Sequence, residues 1–88
     1  MPKFMCTHTL PRGKFTEEQL RRFAQAAQED EKVKGYRSFV NLAEGKALCV
    51  MEASDKEQVA TWFKNMGMPY DSITPVELEG ERGVIKSA

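Results

Sequence analysis

Gly35-Tyr-Arg-Ser-Phe-Val-Asn-Leu-Ala-Glu-Gly-Lys-Ala-Leu-Cys-Val-Met-Glu-Ala53 is the stretch whose reading decides the fold. Two runs rich in aromatic, β-branched and aliphatic residues, Gly35–Leu42 and Ala47–Ala53, flank a short loop that contains Gly45. That pattern predicts a β-hairpin with Gly45 in the left-handed position. A hairpin alone is marginal in water, so the rest of the chain has to cover it.

Upstream, Lys3–Thr9 alternates as a first strand, with Phe4, Cys6 and His8 on one side and Met5, Thr7 and Thr9 on the other. Pro11 and Gly13 end it. Thr16-Glu-Glu-Gln19 is a capping box with two acidic residues where a helix dipole favours them. Leu20, Phe23, Ala24 and Ala27 then repeat at helical spacing as one apolar stripe. The polar run Gln28–Lys32 is where this helix should fade.

Downstream, Ser54-Asp-Lys-Glu57 reads as a second capping box. Val59, Trp62, Phe63 and Met66 form a second stripe, closed by Gly67 and Pro69. Ser72–Leu78 is expected as a last strand with Thr74, Val76 and Leu78 on one face. Pro75 cannot donate to a ladder and so places this strand at a sheet edge. Residues 80–88 read as a frayed polar tail, or as an arm that orders against a partner.

The element order is therefore β-α-β-β-α-β. With right-handed crossovers this is the ferredoxin-like α+β arrangement: a four-stranded antiparallel sheet, order 4-1-3-2, with two helices on one face. One domain spans residues 1–88, its core at about 3–78. Apolar residues occur on both parities of the strands, as in Leu48 and Val50 against Cys49 and Met51. The uncovered face is expected to pack against a second copy of the chain.

The composition narrows the classes. A hydrophobic fraction of 41% is enough for a packed core and argues against disorder. Thirteen Lys and Arg balance thirteen Asp and Glu, so no net field draws in nucleic acid or an anionic membrane. No apolar run is long enough to span a bilayer. Two cysteines make no disulfide framework and no secretory pattern opens the chain, so the expected compartment is the cytoplasm.

No Cys-x-x-Cys, His-x-x-x-His or glycine-rich phosphate loop is present. The topology nevertheless gathers some polar residues. His8 ends the first strand, Tyr70-Asp71 leads into the neighbouring last strand, and Asn41 ends the second strand on the same side. An imidazole beside a carboxylate suits a divalent metal or proton transfer, and Met68 offers a thioether. A hydrogen-bonded surface or interface histidine is the plainer reading. Cys6 and Cys49 lie mid-strand on neighbouring strands, as small packed hydrophobes or as a thiolate or redox pair. Glu52 ends the third strand, where an exposed carboxylate is ordinary. Tyr36 and Trp62 read as core or interface residues rather than a base-stacking platform.

Phe4-Met5-x-x-His8, Tyr36, Cys49-x-x-Glu52 and Pro69-x-Asp71-x-Ile73 with Val76-Glu77 resemble a family of small bacterial proteins of unknown function that includes an actinobacterial nickel-binding protein. The resemblance implies a ferredoxin-like fold, a dimer and a nickel site. It points to His8 as the first ligand, with Asp71, Cys49 and Glu52 as further candidates. Met68 and Cys6 depart from the family pattern, where a histidine and an acidic residue stand.

Two functions follow as expectations. The first is a dimeric ligand-binding protein holding a divalent metal near His8 and a small ligand near Tyr36, Asn41 and Tyr70. The second is a small dimeric α/β-barrel enzyme, monooxygenase- or isomerase-like, with His8 as acid/base.

Overall fold

The computed structural model describes all 88 residues. In chain order the elements are β1 (Lys3–Thr9), α1 (Glu17–Glu29), β2 (Lys34–Asn41), β3 (Lys46–Glu52), α2 (Lys56–Met66), β4 (Ser72–Pro75), β5 (Leu78–Glu81) and β6 (Val84–Ser87). The first four strands form one antiparallel sheet in the order β2-β3-β1-β4, the ferredoxin-like order read from the other edge. Pro75 lies on the edge strand, as its missing N–H demands.

Thr16 caps α1 by the expected capping box, its side chain taking the Gln19 amide while the Gln19 side chain returns to the Thr16 amide. The cap of α2 falls one residue later than the sequence suggested. Asp55 Oδ1 accepts the Gln58 N–H at 2.9 Å, and Gln58 Oε1 takes the Ser54 N–H at 3.2 Å. Asp and Ser cap about equally well; the return bond from Gln58 accompanies the later start. Gly67 closes α2 in the left-handed conformation.

Strand β1 alternates strictly. Phe4, Cys6 and His8 are buried toward the helices, with Cys49, Met51, Val59, Trp62 and Phe63 in the same core. Cys6 stands directly opposite Cys49, and Phe4 opposite Met51. On the other side of the sheet Met5, Phe39 and Leu48 are exposed. The two faces thus differ as the parity argument requires: one packed under helices, one apolar and open.

The C-terminal reading needs two corrections. The fourth strand ends at Pro75 rather than Leu78, because β1 begins at Lys3 and offers no further partner. The Val76 N–H makes the last bond, to the Lys3 carbonyl at 2.9 Å. Nor is 80–88 a frayed tail. Leu78–Glu81 and Val84–Ser87 form a second hairpin around Arg82-Gly83, whose φ angles of 48° and 87° are the doubly left-handed pattern of a tight hairpin turn. Glu79 ties this hairpin to the main sheet through an ion pair with Lys3 and a hydrogen bond from Tyr36 Oη at 3.0 Å. Leu78, Val84 and Ile85 stay exposed on it.

Candidate functional site

Three consecutive residues of β1 hold the segment that joins α2 to β4. The Thr7 carbonyl accepts the Asp71 N–H at 2.7 Å, His8 Nδ1 lies 2.7 Å from the Pro69 carbonyl, and Thr9 Oγ1 donates to Asp71 Oδ2 at 2.7 Å. A carbonyl can only accept, so Nδ1 of the neutral His8 ring carries the proton and Nε2 keeps a bare lone pair. Nε2 is buried and has no hydrogen-bond partner in the chain. The ring stands edge-on to Phe63, with centroids 4.8 Å apart and planes at 84°. Phe63 in turn packs on Trp62 and on Tyr70.

Burial pushes the His8 pKa below its ordinary value, against the opposing influence of the Pro69 hydrogen bond and the Asp71 charge. The folded state therefore takes up a proton at His8 less readily than the unfolded chain. Where only the unfolded chain is protonated, stability rises with pH. The contribution of the neutral ring is complete above about pH 6.5 and is lost as pH falls from there toward the lowered folded value. The thermal midpoint should fall between about pH 7.5 and 5, and His8→Gln should flatten that slope. An unchanged slope in the variant would show that another group carries it.

The other candidates divide between the two ends and faces of the sheet. Cys49 shares the helix-covered face with His8 and is its diagonal neighbour, since His8 opposes Ala47. Burial raises the Cys6 thiol to about 12, with a smaller push from Cys49, and raises the Cys49 thiol to about 11. Both are free and protonated at neutral pH, and Cys6 Sγ donates to the Phe4 carbonyl at 3.6 Å. Asp71 is adjacent to His8 in space, but its carboxylate goes to Thr9 on the open side. Glu52 lies five residues along β3 from Ala47, roughly 17 Å at strand spacing. No three His, Cys, Asp or Glu side chains gather at one point.

The expected ligand residues are likewise separated. Asn41 is taken up by the hairpin turn, where it bonds the amide and the carboxylate of Glu44. Tyr70 packs beside Phe63 at the His8 end. Tyr36 sits in a bulge of β2 at the far end, its ring 4.2 Å from Lys3 Nζ. An apolar cleft between α1 and the sheet is lined by Tyr36 and Trp62 but not by His8. The contact residues missed in the sequence are Lys3 and Glu79. The turn Arg82-Gly83 was the available signal for the hairpin that carries Glu79.

The fold agrees with the comparison to known proteins. Residues 4–76 match the family described as nickel responsive protein SCO4226-like. The chain belongs to the SCO4226-like family. The crystal structure of SCO4226 from Streptomyces coelicolor A3(2) is similar to it with a TM-score of 0.73 and 28% sequence identity, over 89% of this chain and 99% of that one. No curated protein matches. The SCO4226-like match ends at residue 76, so the β5–β6 hairpin lies beyond it. No helix is long and apolar enough to cross a membrane.

Proposed function

We propose that this SCO4226-like chain is a ligand-binding protein without chemistry of its own, acting as a homodimer and taking up a divalent transition metal, nickel first, at His8. The observation that carries the metal reading is the bare Nε2 of His8. A backbone carbonyl on Nδ1 is the usual device for orienting an imidazole whose other nitrogen binds metal. The remaining donors fit nickel only in part. Cys6, Cys49 and Met68 are sulfur donors within the core, whereas nickel sites of this kind favour nitrogen and oxygen. One chain thus offers a single nitrogen and no complete shell, and the rest of the coordination comes from outside it. Because Nε2 is closed off from solvent, uptake requires local opening around His8.

The dimer is supported by exposed apolar side chains. Met5, Phe39 and Leu48 on the open sheet, and Leu78, Val84 and Ile85 on the hairpin, are surfaces of the kind that mark interfaces. A two-stranded ribbon also gains little stability by itself. The two free, protonated thiols suit a reducing cytoplasm.

Calorimetric titration of the full chain with nickel, zinc and copper chlorides, beside sedimentation at micromolar concentration, tests both halves. Nickel should give saturable heat that His8→Gln abolishes, and the protein should sediment as a dimer. No saturable heat from any of the three ions, or binding untouched in His8→Gln, would end the metal reading. A monomer at every concentration would end the dimer.

A further inference from the structure

The apolar stripe of α1 faces the sheet, yet of Leu20, Phe23, Ala24 and Ala27 only Ala27 is buried. The C-terminal end of α1 meets β2 at Ala27 and Gln28, beside Gly35, but the Leu20–Ala24 part stands off from the sheet and leaves a cleft of about 170 Å³. Its wall is mainly apolar, with Leu20 and Phe23 from α1, Val40 and Met51 from the sheet, and Trp62 from α2. The cleft is open to solvent on one side, and its volume is close to that of the dry apolar cavities of about 150 Å³ that take up benzene in other proteins.

We propose that this cleft binds a small neutral organic molecule, the size of one six-membered ring and carrying a single hydroxyl-like group. The volume sets the size. The lining sets the apolar character. The polar group is set by which side chains remain free. The Gln28 amide is already bonded to the Gly35 carbonyl at 2.7 Å, and the Arg37 guanidinium lies over the Phe39 ring, 5.1 Å from its centroid. Ser38, also on the wall, is exposed and is the hydroxyl left to pair with the guest. Neutrality follows, because no unengaged charge lines the cleft. The site is separate from His8 and stands whether or not a metal binds there.

Trp62 is the only tryptophan of the chain and lines the cleft, so its emission reports occupancy. Benzyl alcohol and toluene, titrated into the full-length protein, should each change that emission saturably. Half-saturation for benzyl alcohol is expected at or below about 1 mM, well within the per-atom ceiling for so small a ligand. Ala24→Phe, at an exposed position on the cleft wall, should weaken both at least about tenfold while leaving the thermal midpoint in place. Ser38→Ala should weaken benzyl alcohol but not toluene. A response that stays linear with concentration, or one that persists in Ala24→Phe, would overturn the proposal. If Ala24→Phe does not fold, NMR shifts in the wild-type protein decide: changes confined to the methyl groups of Leu20, Val40 and Met51 support the site, and changes elsewhere overturn it.

Discussion

Phe63→Ala is expected to lower the unfolding free energy by about 3–5 kcal/mol, the usual cost of removing a fully buried aromatic side chain. Phe63 is 1% exposed and is the hub of the aromatic cluster. Its ring meets His8 edge-on at 4.8 Å, Trp62 at 5.6 Å and 67°, and Tyr70 at 5.7 Å and 36°. Truncation removes the burial and three aromatic contacts at once, and these pairs have value beyond their area. It also strips the packing from one side of the His8 ring. For a domain this small, whose total stability lies toward the low end of about 5–15 kcal/mol, most of the fold is at stake. Urea unfolding followed by far-UV circular dichroism measures the loss. A change under about 1 kcal/mol would mean that Phe63 is not the centre of the core.

Gly45→Ala is the second large effect, and its cause is local. Gly45 has φ of 69°, and a Cβ there would lie 2.3 Å from the backbone oxygen of Leu10. The left-handed conformation alone costs an L-residue about 1–2 kcal/mol. The clash adds to it, because the obstacle is backbone and not the tip of a flexible side chain. The same contact is a working one, since the Leu10 N–H donates to the Gly45 carbonyl at 2.7 Å and so ties the β2–β3 turn to the end of β1. A loss of at least about 2 kcal/mol is expected. Gly67→Ala is the control: its φ is 72°, with nothing within 4 Å of an added Cβ, so only the conformational cost applies. Equal losses in the two variants would remove the argument from close approach.

The fold was legible because each local signal had one physical meaning. The capping box at Thr16, the period-two alternation of Lys3–Thr9 and the left-handed Gly45 are local rules, and the structure obeys each. Pro75 carried tertiary information within a single residue, since its missing N–H is tolerable only at an edge. The C-terminal hairpin was less legible. Its turn uses Arg82-Gly83 rather than Asn-Gly or Asp-Gly, so the usual short-range signal was muted. The site was legible only in part. His8 and its neighbours Tyr70 and Asp71 are brought together by strand order. The Asp71 carboxylate nevertheless bonds Thr9, and register separates the rest, with Glu52 at the far end and Asn41 in a turn.

The sequence by itself determined the order of the first six elements, the order of the four-stranded sheet and the two alternating faces of its strands, because alternation, capping and proline chemistry act within a few residues. Which face the helices cover, and hence the burial of His8, was set by the tertiary packing. Only the tertiary structure decided the state of His8. Whether a buried imidazole finds a second hydrogen-bond partner depends on atoms brought there by distant segments: here the Pro69 carbonyl reaches Nδ1 and nothing reaches Nε2. The same holds for the cleft beside α1. Its apolar stripe is visible in the sequence, but the distance at which the helix stands from the sheet is set by packing around it.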